Sequence, residues 1–134
     1  MSSFRPQPEF FVDRSLGRHQ VAAQLRSVGW RIRTHHEVYG VRDERVADVE
    51  WIADCDRLGL AVLSKDRRLR YRPAEIEAIA RSAVPIFVLV GGSLRADEQV
   101  ARFERNRLEL ELRATEGGPA LWAVHATHIE RLFP

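Results

Sequence analysis

Short, nearly unbroken apolar runs separated by stretches of helical periodicity narrow the fold of this chain more than any other feature. "EFFVD" at 9–13, "LAVLS" at 60–64 and "PIFVLVGG" at 85–92 have the composition of strands buried on both faces. "WRIRT" at 30–34 alternates apolar and basic residues, the pattern of a half-exposed strand, and "ALWAVHA" at 120–126 supplies a last one. Helical patterns fill the gaps, giving strand–helix units of about 30 residues. Such alternation implies an α/β fold with a mostly parallel central sheet of four to five strands and helices on both faces.

The helices can be placed individually. Leu16, Val21, Leu25 and Val28 share one face of a helix ending near Gly29. From Asp48, Val49, Ile52, Ala53 and Leu58 form the apolar face of a second helix, stopped by Gly59. Pro73 suits the first turn of a short third helix. Residues 95–114 form the longest pattern, with Val100, Phe103 and Leu110 pointing inward. "HHEVYGVRDERVA" is a loop or helix entry, and "HIERLFP" a short tail. With no repeat, linker or low-complexity tract, the 134 residues are expected to form one domain over 1–134.

Composition sets limits on function. Hydrophobic residues make up 45% and charged residues 30%, a globular balance. The net charge of +2 does not argue for nucleic acid, although the basic side is nearly all arginine, with Lys65 the sole lysine. Arginine's planar fork suits phosphate and carboxylate, and a GC-rich genome would also supply it. The lone Cys55 forms no internal disulfide and fits a packed helix position. The N-terminal stretch lacks a signal-peptide pattern and no run reaches membrane-spanning length, so a cytoplasmic protein is expected.

The chemistry lies in the acids. In a parallel α/β sheet the C-terminal ends of the strands open on one rim, where ligands bind. Asp13 ends the first strand, Asp66 lies just past the third, and Asp48 opens a helix that runs back along the sheet. Three carboxylates converging there would repel unless a cation sat among them. Hard oxygen ligands of this kind suit Mg²⁺ or Mn²⁺. Each acid also has a local explanation. Asp48 fits a helix first turn, Asp13 could cap the helix beginning near Ser15, and Asp66 could be a turn residue.

Lys65, Arg67, Arg68, Arg70 and Arg72 crowd beside Asp66. They could bind RNA phosphates, neutralise the acids without a metal, or form a solvated loop. Tyr71 could stack on a base or pack on the next helix. The adjacent His35 and His36, and His125 and His128, lack the partners of a zinc site and are assigned to loops. Trp30, Trp51 and Trp122 are assigned to packing.

The stretch "FFVDRSL … DVEWIADCDRLGLAVLSKDRRLR" resembles the PIN domain, within it the branch that includes VapC-type toxins of bacterial toxin–antitoxin pairs. The resemblance covers residues 9 to about 90 and is strongest from Asp48 to Arg70. There an acid opens a helix that ends at glycine, and an apolar strand leads into an S-x-D turn. It implies a Mg²⁺-dependent endoribonuclease with Asp13, Asp48 and Asp66 as metal-binding acids, RNA as substrate, an antitoxin as partner, and a homodimer. Relatives often carry a further acid two residues after the third, where this chain has Arg68. A fourth acid would then come from Glu50, Glu75 or Asp97. The same departure supports an alternative, a catalytically impaired PIN-like module that binds RNA or a protein.

Other phosphoryl-transfer classes fit less well. A haloacid-dehalogenase phosphatase needs D-x-D after the first strand, where this chain has "DRS". A receiver domain needs paired acids near its first strand and a late lysine. "VGGSLR" is a weak phosphate loop.

Overall fold

A computed structural model describes residues 7–134; the first six, on which the reading of the N-terminus partly rests, lie outside the described part. Its strands are β1 (Glu9–Val12), β2 (Arg31–Thr34), β3 (Ala61–Ser64), β4 (Pro85–Leu89), β5 (Ala120–Val124) and β6 (Ile129–Phe133). They form one sheet in the order β2-β1-β3-β4-β5-β6. All neighbours pair in parallel except β5 and β6, which are antiparallel. The helices are α1 (Gln20–Ser27), α2 (His35–Tyr39), α3 (Asp48–Leu58), α4 (Pro73–Ala80), α5 (Ala96–Arg105) and α6 (Arg107–Glu116). Among the described residues no helix is long and apolar enough to cross a membrane.

Register divides the core in two. Phe11 pairs with Val62, Val62 with Ile86, and Ile86 with Leu121, so one row of side chains crosses the sheet on a single face. Trp51, Ile52 and Cys55 of α3 and Ile79 of α4 close over that row. The opposite face, with Phe10, Leu63, Phe87 and Trp122, is covered by Val21 and Leu25 of α1, Phe103 of α5 and Leu110 of α6. Helices therefore flank both faces, as the alternation of elements implies. Each large side chain in these rows is worth roughly 1.5–3 kcal/mol of burial.

Four local expectations are corrected. The tail at 129–133 is a sixth strand. "IERLF" has too few consecutive apolar residues for a buried strand, but an edge strand buries only part of its surface. The 95–114 helix is broken at Asn106, whose Nδ2 donates to the carbonyls of Arg102 at 2.9 Å and His125 at 3.0 Å. "HHEVYGVRDER" folds as α2, fastened by a Thr34–Glu37 capping box, followed by a 3-10 turn at Gly40–Arg45. In α3 the buried face is Trp51, Ile52 and Cys55, while Val49 and Leu58 are exposed. Trp51's large ring, stacked on Phe11 at 5.6 Å, sets the helix rotation.

Gly59 ends α3 in the left-handed region at φ 72°, its N–H returning to the Asp56 and Cys55 carbonyls. An L side chain would be strained there. The turn delivers the chain directly into β3, which carries Ser64 and then Asp66 to the rim.

Candidate metal centre and its rim

Asp13 follows β1, and its backbone N–H continues the ladder to the Leu63 carbonyl at 3.1 Å. This places its carboxylate beside the end of β3. Asp13 Oδ2 accepts from Ser64 Oγ at 2.6 Å and from Ser15 Oγ at 3.0 Å. Both hydroxyls also accept a backbone N–H, Ser64 from Asp66 and Ser15 from Lys65, each at 3.0 Å. The two hydroxyls also lie 3.2 Å from each other, so Ser15, Ser64 and Asp13 form one hydrogen-bonded group to which the turn carrying Asp66 is tied. Asp13 is 5% exposed. Burial pushes its pKa up, the nearby Asp48 charge adds to this, and the serine bonds oppose it.

Asp48 is the first residue of α3, whose N-cap Ala47 offers no side-chain bond. Asp48 Oδ1 accepts from Trp51 Nε1 at 2.8 Å. Asp66 caps a 3-10 turn at Arg67–Arg70, Oδ1 accepting from the Arg68 N–H at 3.1 Å and from Arg68 Nε at 3.1 Å. Asp13 likewise caps the 3-10 turn at Arg14–Leu16. Local capping and convergence on the rim therefore coexist: Asp13, Asp48 and Asp66 line one open cleft of about 720 Å³. Ser15, Trp51, Lys65, Arg67, Arg68 and Arg72 share it.

Arg72 holds the middle of this arrangement. Its Nη1 stands 3.4 Å from Asp48 Oδ2, 4.0 Å from Asp66 Oδ2 and 3.6 Å from Glu75 Oε1. Among the described residues no group of three or more acids, histidines or cysteines has the arrangement of an ion-holding cluster. The guanidinium supplies the positive charge between the acids instead.

The remaining candidates divide. Glu75 joins the edge of the acid group through Arg72, whereas Glu50 turns outward to Arg42 at 2.8 Å. Asp97 pairs with Arg95 at 3.3 Å in the first turn of α5, outside the cleft. Arg70 does not line the acid cleft; its guanidinium lies 5.1 Å from the Tyr71 ring centre, over a neighbouring pocket. His35 is buried at the start of α2 rather than in a loop, packed between Phe11 and Tyr39.

Three site residues were missed from the sequence. Ser15 and Ser64 had a signal in "DRS" and "SKD", a small hydroxyl two residues from each acid. Trp51, one turn beyond Asp48, is both packed and a donor to it.

Acids and arginines gather at the carboxyl ends of the strands of a mostly parallel α/β sheet, the edge where ligands bind in such folds. The family model "PIN like domain" matches residues 8–91. Over 124 residues the chain is 31% identical to "Putative ribonuclease VapC45" of Mycobacterium tuberculosis (strain ATCC 25618 / H37Rv), covering 92% of this chain and 90% of that protein. The chain belongs to the PIN-like domain family, among the VapC-type proteins. No solved structure matches.

Proposed function

We propose that this protein is a Mg²⁺- or Mn²⁺-dependent endoribonuclease, the toxin of a toxin–antitoxin pair acting in the cytoplasm. The observation that carries the reading is the meeting of Asp13, Asp48 and Asp66, remote in sequence, in one cleft edged by Lys65, Arg67 and Arg68. The relative named as a ribonuclease, similar over most of both chains, supports it. A protein partner that restrains the activity would cover this rim, and a homodimer fits the family.

The donor types, carboxylate oxygens from three elements, suit a hard divalent ion. With Arg72 between Asp48 and Asp66 they do not stand as an ion-holding group, so binding requires them to close in as Arg72 leaves. Asp13, Asp48 and Asp66 would hold the ion, which when bound polarises the scissile phosphate and activates water. The chain's own contribution is placement. Ser15 and Ser64 fix the Asp13 carboxylate, Trp51 fixes Asp48, and the Arg68 N–H fixes Asp66. Lys65, Arg67 and Arg68 bind flanking phosphates and draw the strand over the cleft. Arg72 must move off the acids, and phosphate offers its guanidinium a replacement anion.

Cleavage of a mixed RNA pool with and without Mg²⁺, comparing the wild type with Asp66→Asn, tests this. Metal-dependent cutting lost in the variant is expected; a wild type that never cuts, or a variant that cuts equally, ends it. A second reading, a catalytically impaired module that binds RNA or a protein, is favoured by the ion pairs that Arg72 already makes with Asp48, Asp66 and Glu75.

A further inference from the structure

Beside the acid cleft lies a second, smaller pocket of about 290 Å³. Its floor is apolar: Val88 and Leu121 are buried and Leu132 is half-buried. Arg67, Arg70 and Tyr71 also line it, as does His125, whose Nε2 lies 2.9 Å from Glu130 Oε1. Tyr71 is 69% exposed, although its neighbour Leu69 is fully buried. Arg67 lines both this pocket and the acid cleft.

We infer that this pocket is a base-binding subsite, receiving the nucleobase next to the phosphate held over the acids. The inference rests on RNA being the ligand of the neighbouring cleft. A base is flat and apolar on its faces and polar at its edge. The apolar floor and Tyr71 suit the faces, and the His125–Glu130 pair suits the edge. Arg67 and Arg70, which line the pocket, suit the phosphates on either side of that base. The volume of about 290 Å³ lies just below the roughly 300–1,000 Å³ of small-ligand sites, room for a single base-sized group. The shared Arg67 places the pocket within one strand's reach of the cleft. The subsite would favour some bases over others at one position beside the cut.

Fluorescence anisotropy in EDTA, with the RNA checked for intactness afterwards, tests the subsite apart from the nuclease reading. The ligands are a labelled single-stranded RNA of mixed sequence and an abasic chain of equal length. The wild type should bind the intact RNA roughly 5- to 150-fold more tightly, the worth of one base–aromatic stack. Tyr71→Ala should remove that preference without weakening abasic binding, while Tyr71→Phe keeps it. Leu132→Trp, which fills the floor, should also abolish it. Equal binding of both ligands by the wild type overturns the subsite even if the protein cuts RNA. So does a base preference that survives Tyr71→Ala and Leu132→Trp. An acidic peptide bearing an apolar residue that needs Tyr71 and Leu132, with bases indifferent, assigns the pocket to a protein partner instead. A protein that cuts no RNA yet shows the Tyr71-dependent preference keeps the subsite and loses the nuclease.

Discussion

Arg72 Nη1 stands 3.4 Å from Asp48 Oδ2, and the same nitrogen reaches toward Asp66 and Glu75. One guanidinium thus balances acids that would otherwise repel across the cleft. A divalent ion and this side chain compete for the same negative field. Arg72→Ala is therefore expected to bind Mn²⁺ up to about fivefold more tightly, the worth of a partly exposed ion pair. Electron paramagnetic resonance of free Mn²⁺ reads this directly, and unchanged or weaker binding contradicts it.

Ser64 is fully buried and donates its only proton to Asp13. Ser64→Ala leaves that carboxylate short of a bond in a buried place and should cost about 1–3 kcal/mol of stability in urea unfolding. Val62→Ala, on the same strand, loses packing without touching the acid. Only the serine variant should also weaken Mn²⁺ binding.

Trp51→Phe keeps a ring against Phe11 but removes the N–H that holds Asp48. The expected outcome is a stability loss above the ~1 kcal/mol of one hydrogen bond, because the smaller ring also leaves a cavity in the core, with a larger fractional loss of RNA cleavage. Equal cleavage by the two proteins would remove Trp51 from the site.

His35 is buried, and burial lowers its pKa, the Arg14 charge adding to this while Asp43 and Asp48 oppose it. The neighbouring His36 disfavours its protonation too. The unfolded chain therefore takes up a proton that the folded chain resists. Stability should be full above the ordinary histidine value near 6.5 and fall as pH drops below it, by at most about 1.4 kcal/mol per pH unit. His35→Phe should flatten that slope between pH 7 and 5 in denaturant titrations; an unchanged slope places the titration elsewhere.

The positions of Asp13 and Asp66 were legible because apolar runs mark where strands end, and strand ends share a rim. Asp48 followed from helix polarity. Arg72 was foreseen only as a member of a cationic cluster. Its placement depends on the turn at Arg67–Arg70 and on Pro73, which together aim one arginine inward and leave Arg67 and Arg68 exposed. The burial of His35 was hidden by its polar neighbours, since α2 depends on a capping box rather than an apolar stripe. The helix break at Asn106 came from tertiary partners that no local periodicity records.

An anomalous-scattering difference map from a crystal soaked in Mn²⁺ tests the metal reading most directly. A single peak between the carboxylates of Asp13, Asp48 and Asp66, with the Arg72 guanidinium displaced toward solvent, is expected. Arg72 still paired with Asp48 and no peak at saturating Mn²⁺ would contradict it.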